Sequence, residues 1–172
     1  MVLYMKCIIN QPKPHRPGSG KSTVGRLCAK ALNLPFVDAD KFLEQREGRS
    51  VADIFASSGE GYFRDLESRV LAELCRREGI VLATGGGAVL RRENRTLLKG
   101  SGLVIFLDRS PWAIRRTLRR QGRPLLTDDG AIFRLARQRR DLYRAAAHHS
   151  VNKSTARQAA EEAVRLWREE QT

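Results

Sequence analysis

The run Gly18-Ser19-Gly20-Lys21-Ser22-Thr23 decides the fold. It is the closing half of a phosphate-binding loop, and it opens directly into a helical pattern over Ser22 to Ala31. Glycines let backbone N–H groups approach a phosphate, and the start of a helix adds the positive end of its dipole. Lys21 would reach the β and γ phosphates, and the Ser22 hydroxyl can hold Mg²⁺. A Gly-Ser turn that merely caps a helix is the plainer reading, but the unbroken Gly-Lys-Ser-Thr order weighs against it. Further upstream the loop pattern asks for glycine at position 15, where this chain has His15, and Pro12, Pro14 and Pro17 stiffen the approach and remove donors. A weakened hold on ATP is the expected consequence.

Working outward, short apolar runs alternate with helical patterns, the mark of a parallel sheet covered by helices. Strands are expected at Leu3 to Ile9, Leu34 to Val37, Ile80 to Ala83 and Leu103 to Leu107, with a weak fifth around Ser150 and Val151. Helices are expected at Ser22 to Ala31, Lys41 to Arg46, Glu60 to Arg77, Arg91 to Leu98, Pro111 to Arg120, Gly130 to Ala146 and Ala156 to Glu169. Ser110 with Pro111 supplies a cap and a first-turn proline, while Thr155-Ala156-Arg157-Gln158 reads as a capping box. Gly122 to Asp129 reads as an exposed loop, and with no composition shift or repeat the whole of 1–172 is expected to form a single domain.

Composition narrows the function. A hydrophobic fraction of 41% suits one globular domain, and no apolar run approaches the roughly 18 residues of a membrane span. The start has no long apolar stretch followed by a small-residue cleavage site, so a secretory signal is not expected. Cys7, Cys28 and Cys75 form no CxxC and are odd in number, which suits buried thiols in a reducing, cytoplasmic setting. The net charge of +13 comes mainly from 25 arginines, 11 of them between Arg109 and Arg144. Such a stretch can bind nucleic acid through phosphates, or hold the phosphates and carboxylates of a small substrate in bidentate fashion. For most of these arginines a solvated basic face is the ordinary reading.

Other residues carry chemistry. Val37-Asp38-Ala39-Asp40 ends the second strand; with alternation of period two, both carboxylates would point the same way, toward the strand ends where such sheets bind ligands. One would position the metal and the other would accept a hydrogen bond from a substrate hydroxyl, whereas the plain alternative is a helix cap before Lys41. Gly59-Glu60-Gly61-Tyr62-Phe63-Arg64-Asp65-Leu66-Glu67 places Phe63, Glu67 and Val70 on one helix side, with Arg64 and Glu67 able to form a solvated ion pair. Thr84-Gly85-Gly86-Gly87 closes an apolar strand; three glycines there suggest that a ligand approaches the main chain. Arg116 and Arg123-Pro124-Leu125-Leu126 could both meet phosphate. His15, His148 and His149 have no spacing that suggests zinc, and no Ser/His/Asp arrangement appears.

Taken together, GSGKST, FVDAD, ADIF with GEGYFRDLE, LATGGG, RPLL and RRDLYR resemble the shikimate kinase family in order and spacing from Gly18 to about Tyr143. The resemblance implies a nucleoside-monophosphate-kinase-like α/β fold: a three-layer sandwich on a five-stranded parallel sheet, with a lid over about 112–129. It implies transfer of the ATP γ-phosphate to the 3-hydroxyl of shikimate, in the route to chorismate and aromatic amino acids. Carried over by position, Gly18, Ser19, Gly20, Lys21, Ser22 and Thr23 would hold the ATP phosphates, and Ser22 with Asp38 would hold one Mg²⁺ per subunit. Asp40 would bind the reacting hydroxyl and act as base. Arg64 and Arg139 would clamp the carboxylate, and the Gly85, Gly86 and Gly87 backbone would meet the substrate. Arg116 would lie near adenine, and Arg123 would reach the transferring phosphoryl group. The family's proline near adenine has no counterpart between Val151 and Gln158.

Rival readings are another small-molecule P-loop kinase of the gluconate type, and a kinase-like module that binds a metabolite without turnover because of its altered loop front. A basic nucleic-acid binder is a third, which no RNA- or DNA-reading motif supports. ATP and shikimate are the expected partners of a monomer, with neither nucleic acid nor membrane.

Overall fold

The computed structural model describes residues 21–108 and 139–172, and of Lys21 the backbone alone. The expected strand at Leu3 to Ile9, the helix at Pro111 to Arg120 and the loop at 122–129 lie outside the described residues.

Helix α1 spans Lys21–Leu32, starting one residue before its expected position. It buries Val24, Cys28 and Ala29, spaced to form one face. Its end is closed by Asn33 in the left-handed region (φ 54), with the Leu34 N–H donating to the Ala29 carbonyl at 2.9 Å. Strand β1 is Phe36–Asp38 and runs parallel to β2, Val81–Ala83, with Phe36 opposite Val81 and Asp38 opposite Ala83. Between them lie α2 (Ala39–Glu47) and α3 (Val51–Leu74). After β2 come a short 3₁₀ turn at Ala88–Leu90, α4 (Arg92–Gly100) and β3 (Ile105–Leu107). The chain is helical again over residues 139–146 (α5), then forms β4 (His149–Val151), parallel to β3, and closes with α6 (Ala156–Glu169).

Among the described residues the strands form two parallel pairs rather than one sheet of five. Two cores fill the space around them. One gathers Leu43, Ile54, Phe63, Leu71, Leu82 and Phe106 beneath α2, α3 and α4. The other unites Cys28 on α1 and Ala163 on α6 with Val81, Ile105 and Val151. Cys28 and Cys75 are buried, as a reading of them as small apolar groups requires; Cys7 lies outside the described residues.

Three local expectations need correction. A helical segment from Val51, which the sequence reading did not include, precedes the one expected from Glu60, because Ser50 and Asp53 make a complete capping box: Ser50 Oγ accepts from the Asp53 N–H at 3.1 Å and Asp53 Oδ2 accepts from the Ser50 N–H at 3.3 Å. Gly59, at φ 79 and ψ 173, breaks the helix where only glycine sits easily. The box expected at Thr155 forms by half. The Gln158 N–H donates to Thr155 Oγ1 at 3.2 Å, but Gln158 Oε1 is taken by the Ser154 hydroxyl at 2.8 Å instead of reaching back to the cap. Finally, strand alternation does not govern Asp40. Strand β1 stops at Asp38, which itself caps α2 by accepting from the Lys41 N–H at 3.4 Å, and Asp40 stands in the first helical turn.

Candidate active site

The strand-to-helix corner at Asp38 sends the two carboxylates to different partners. Asp38 Oδ2 accepts a 2.8 Å hydrogen bond from the Ser22 hydroxyl at the start of α1, joining β1 to the helix that follows the phosphate-loop sequence. Two hard oxygens at the start of a helix suit Mg²⁺, which binds through one or two protein oxygens and otherwise through water and phosphate. Among the described residues no group of three or more His, Cys, Asp or Glu side chains is placed to hold a metal ion. Thr23, beside Ser22, is exposed.

Asp40 faces the glycine turn. A methyl group placed on Gly85 would stand 2.6 Å from Asp40 Oδ1 and 2.9 Å from Glu67 Oε1. A methyl on Gly87 would overlap Arg64 at Nη1 and Cζ and stand 2.5 Å from Nη2. A side chain at either position would therefore have to displace these groups, although neither glycine has a positive φ. At these two positions the groups that come close are the carboxylates and guanidinium of this chain, a use of glycine that the sequence reading assigned to a ligand.

Arg64 lies 8% exposed and Glu67 4%, so their pairing is buried rather than solvated. Arg64 Nη1 donates to Glu67 Oε2 at 2.7 Å, while Nε and Nη2 both donate to Glu60 Oε1, at 3.2 and 3.0 Å. Burial alone would lower the guanidinium pKa, but Glu67 and Glu60 outweigh it and the net shift is upward. The cation is thus permanent. One carboxylate holds each flank, leaving further N–H donors at the Nη1/Nη2 tip; a guanidinium has five. The Phe63 ring lies 5.1 Å beneath Cζ.

Tyr143 on α5 completes the cluster. It is 2% exposed and stacked on Phe106 of β3 with ring centroids 5.1 Å apart. Its hydroxyl donates to the Gly86 carbonyl at 2.8 Å. Burial pushes its pKa up to about 12 against the opposing influence of the Arg139 and Arg64 charges. Arg64, Asp40, the Gly85–Gly87 turn and Arg139 therefore converge from α3, α2, the end of β2 and α5. Glu67, Glu60 and Tyr143 were not singled out as site residues by the sequence. Glu67 carried a signal in its apolar-face position three residues after Arg64, and Tyr143 stands one helical turn after Arg139. Gly18, Ser19, Gly20, Arg116 and Arg123, and the side chain of Lys21, lie outside what the structure describes.

Comparison with known proteins decides the family. A model of the shikimate kinase family matches residues 17–168. This chain belongs to the shikimate kinase family. The match begins at Pro17, just past His15. The shikimate kinase of Thioalkalivibrio sulfidiphilus is 46% identical over 157 residues, covering 88% of this chain and 83% of that protein. That of Symbiobacterium thermophilum is 49% identical over 137 residues, covering 76% and 79%. Among solved structures, the Acinetobacter baumannii shikimate kinase in complex with shikimate superposes with a TM-score of 0.83 at 35% identity, covering 96% of this chain and 93% of that one. A gluconokinase from Sinorhizobium meliloti shares the fold alone, at a TM-score of 0.58 and 16% identity. The family is one of ATP-dependent phosphotransferases with an α/β fold, and among the described residues no helix is long and apolar enough to cross a membrane.

Proposed function

We propose that this shikimate kinase transfers the γ-phosphate of ATP to the 3-hydroxyl of shikimate, in the cytoplasm, with Mg²⁺ as the metal. The observation that carries the reading is the buried, permanently charged Arg64, presented beside Asp40 and the Gly85–Gly87 turn. A planar carboxylate matches the Nη1/Nη2 edge in bidentate fashion, which a neutral sugar hydroxyl cannot do. Arg139 would take the other side of that carboxylate.

Asp40 would accept the proton of the 3-hydroxyl as its oxygen bonds to the γ-phosphorus and the bond to the β-phosphate oxygen breaks, releasing ADP. Gly18 to Thr23 would cradle the phosphates, with Lys21 on the transferring group. Ser22 and Asp38 would hold Mg²⁺, which neutralises phosphate charge. Arg123, in a lid over about 112–129 of the single domain, would stabilise the charge that develops on the phosphoryl group, and Arg116 would lie near adenine. Exclusion of water by such a lid would protect ATP from hydrolysis. The two strand pairs would be joined by Leu3 to Ile9 into one five-stranded sheet; Val81 of β2 and Ile105 of β3 already share a core, which supports the idea.

An ADP-release assay tests the reading. ADP formation should depend on shikimate and Mg²⁺ and should not occur with gluconate or other hydroxy acids. Equal turnover with gluconate would overturn the shikimate assignment, and binding of shikimate without ADP release would favour the module that lacks turnover.

A further inference from the structure

Tyr143 is the buried polar side chain of the cluster for which the reaction as proposed has no use. A phenol in an apolar stack needs partners for its oxygen; the Gly86 carbonyl is one, and Arg139, one helical turn back along α5, sets its charge against the phenol from the same helix. We infer that Tyr143 is a positioning residue for the substrate's carboxylate: anchored on the Gly86 carbonyl and stacked on Phe106, its oxygen orients Arg139 toward Arg64. The inference rests on the reading of Arg64 and Arg139 as the carboxylate clamp.

The chemistry suits the role. A partly exposed arginine such as Arg139 samples several rotamers, and holding its fork in one orientation removes an entropy cost that binding would otherwise bear. A hydroxyl is needed because it donates to a carbonyl and accepts from a guanidinium at once; no carboxylate or amine side chain does both. Its upward-shifted pKa keeps the donor proton in place throughout the neutral range. The stack fixes the ring independently of the hydroxyl, since its centroid separation of 5.1 Å is set by Phe106 in β3. Because the same oxygen touches the turn that borders Asp40, the carboxylate clamp and the hydroxyl acceptor share one rigid reference.

The test is Tyr143→Phe, alone and combined with Arg139→Ala, read by shikimate and ATP KM and by kcat. The Phe variant keeps the ring and should raise the shikimate KM roughly 10- to 150-fold, the worth of a hydrogen bond to a charged group. The ATP KM should stay unchanged and kcat should stay within about twofold. In the Arg139→Ala background the same change should cost less than about twofold, because residues that act through one another do not add. Full additivity, or an equal rise in both KM values, would make Tyr143 merely structural. If Arg139→Ala raises the shikimate KM but Tyr143→Phe does not, the positioning role falls while the clamp stands. If Arg139→Ala itself leaves that KM unchanged, the clamp reading fails and the inference falls with it. Should the Phe variant not fold, replacement of Tyr143 by 3,5-difluorotyrosine keeps the packing and makes the phenol more acidic. The shikimate KM should then rise with pH as the donor proton is lost, and a flat profile would refute the inference.

Discussion

Gly87→Ala isolates the geometry of the clamp. The backbone there is an ordinary one, with φ −94 and ψ −10, so alanine costs nothing in conformation and the whole effect comes from its methyl group. That methyl would overlap the Arg64 guanidinium and stand 2.5 Å from Nη2, so the group must retreat by at least about 1 Å to reach ordinary contact. It has little freedom to do so, since Glu67 holds Nη1 at 2.7 Å in a buried site and Glu60 holds Nε and Nη2. A displacement of that size can cost on the order of 10²-fold in rate when it misplaces a binding group. The energy of a hydrogen bond to a charged partner, about 1.5–3 kcal/mol, translates to roughly 10- to 150-fold in shikimate KM. Strain on the buried Arg64–Glu67 pair should also lower stability by about 1–3 kcal/mol. Steady-state ADP release at varied shikimate and at varied ATP checks the first effect, and urea denaturation the second. Gly61→Ala is the matched control, for it lies on α3 with nothing within 4 Å, and it should leave both KM values alone while adding about 0.4–1 kcal/mol of stability. An unchanged shikimate KM in Gly87→Ala, with stability intact, would show that Arg64 swings aside freely and that the turn does not fix it.

Asp40→Asn should leave thermal unfolding unaltered but lower kcat by ~10²-fold or more, the usual worth of a general base; unaltered turnover at saturating shikimate would remove Asp40 from the chemistry. Ser22→Ala removes the hydroxyl bound to Asp38 and should weaken apparent Mg²⁺ affinity by at least roughly tenfold in a metal titration of activity, whereas an unchanged titration would place the metal elsewhere. His148 Nδ1 accepts from the Val104 N–H at 3.0 Å; burial first, then Lys99, lowers its pKa, while Glu170 opposes them. Its stabilising share is therefore complete above the ordinary histidine value of about 6.5 and is lost as pH falls from there toward the lower folded value. Melting temperatures between pH 8 and pH 5 should show this loss, and His148→Asn, which keeps an acceptor but does not titrate, should show less of it; an identical slope in both proteins would refute the assignment.

What the sequence made legible was governed by local rules. A helix after Gly-Lys-Ser-Thr and apolar runs at the strands both follow from interactions within a few residues. The start of α3 was equally local, since Ser50 with Asp53 is a readable capping box that the pattern over Glu60 to Arg77 overshadowed. Asp38 and Asp40 mark where local rules fail. The period of two holds only while the chain remains extended, and one residue of helix onset redirects a side chain completely. Glu67 and Tyr143 were hidden for a different reason: their roles depend on burial, and an i,i+3 charge pair looks the same in sequence whether it is solvated or 4% exposed.

The corner at Asp38 also explains why the two halves of the chemistry can lie so close together. Had β1 continued through Asp40, both carboxylates would share one face and repel one another within a single site, raising one pKa at the expense of metal or hydroxyl binding. By capping α2, Asp38 turns to Ser22 while Asp40 turns to Gly85, the sides proposed for nucleotide and acceptor. Ala39 between them is buried in the core, so the pair is held by packing as well as by the cap. Phosphoryl transfer demands in-line alignment of donor and acceptor more than covalent assistance. With the proposed roles, one strand end whose two carboxylates face different ligands would supply that alignment from backbone geometry, which a substitution at Ala39 would disturb without replacing either carboxylate. Ala39→Val should accordingly reduce kcat more than either KM, by roughly 10-fold if the acceptor shifts only a fraction of an ångström, and a pure rise in the shikimate KM would show that the corner positions binding instead of transfer.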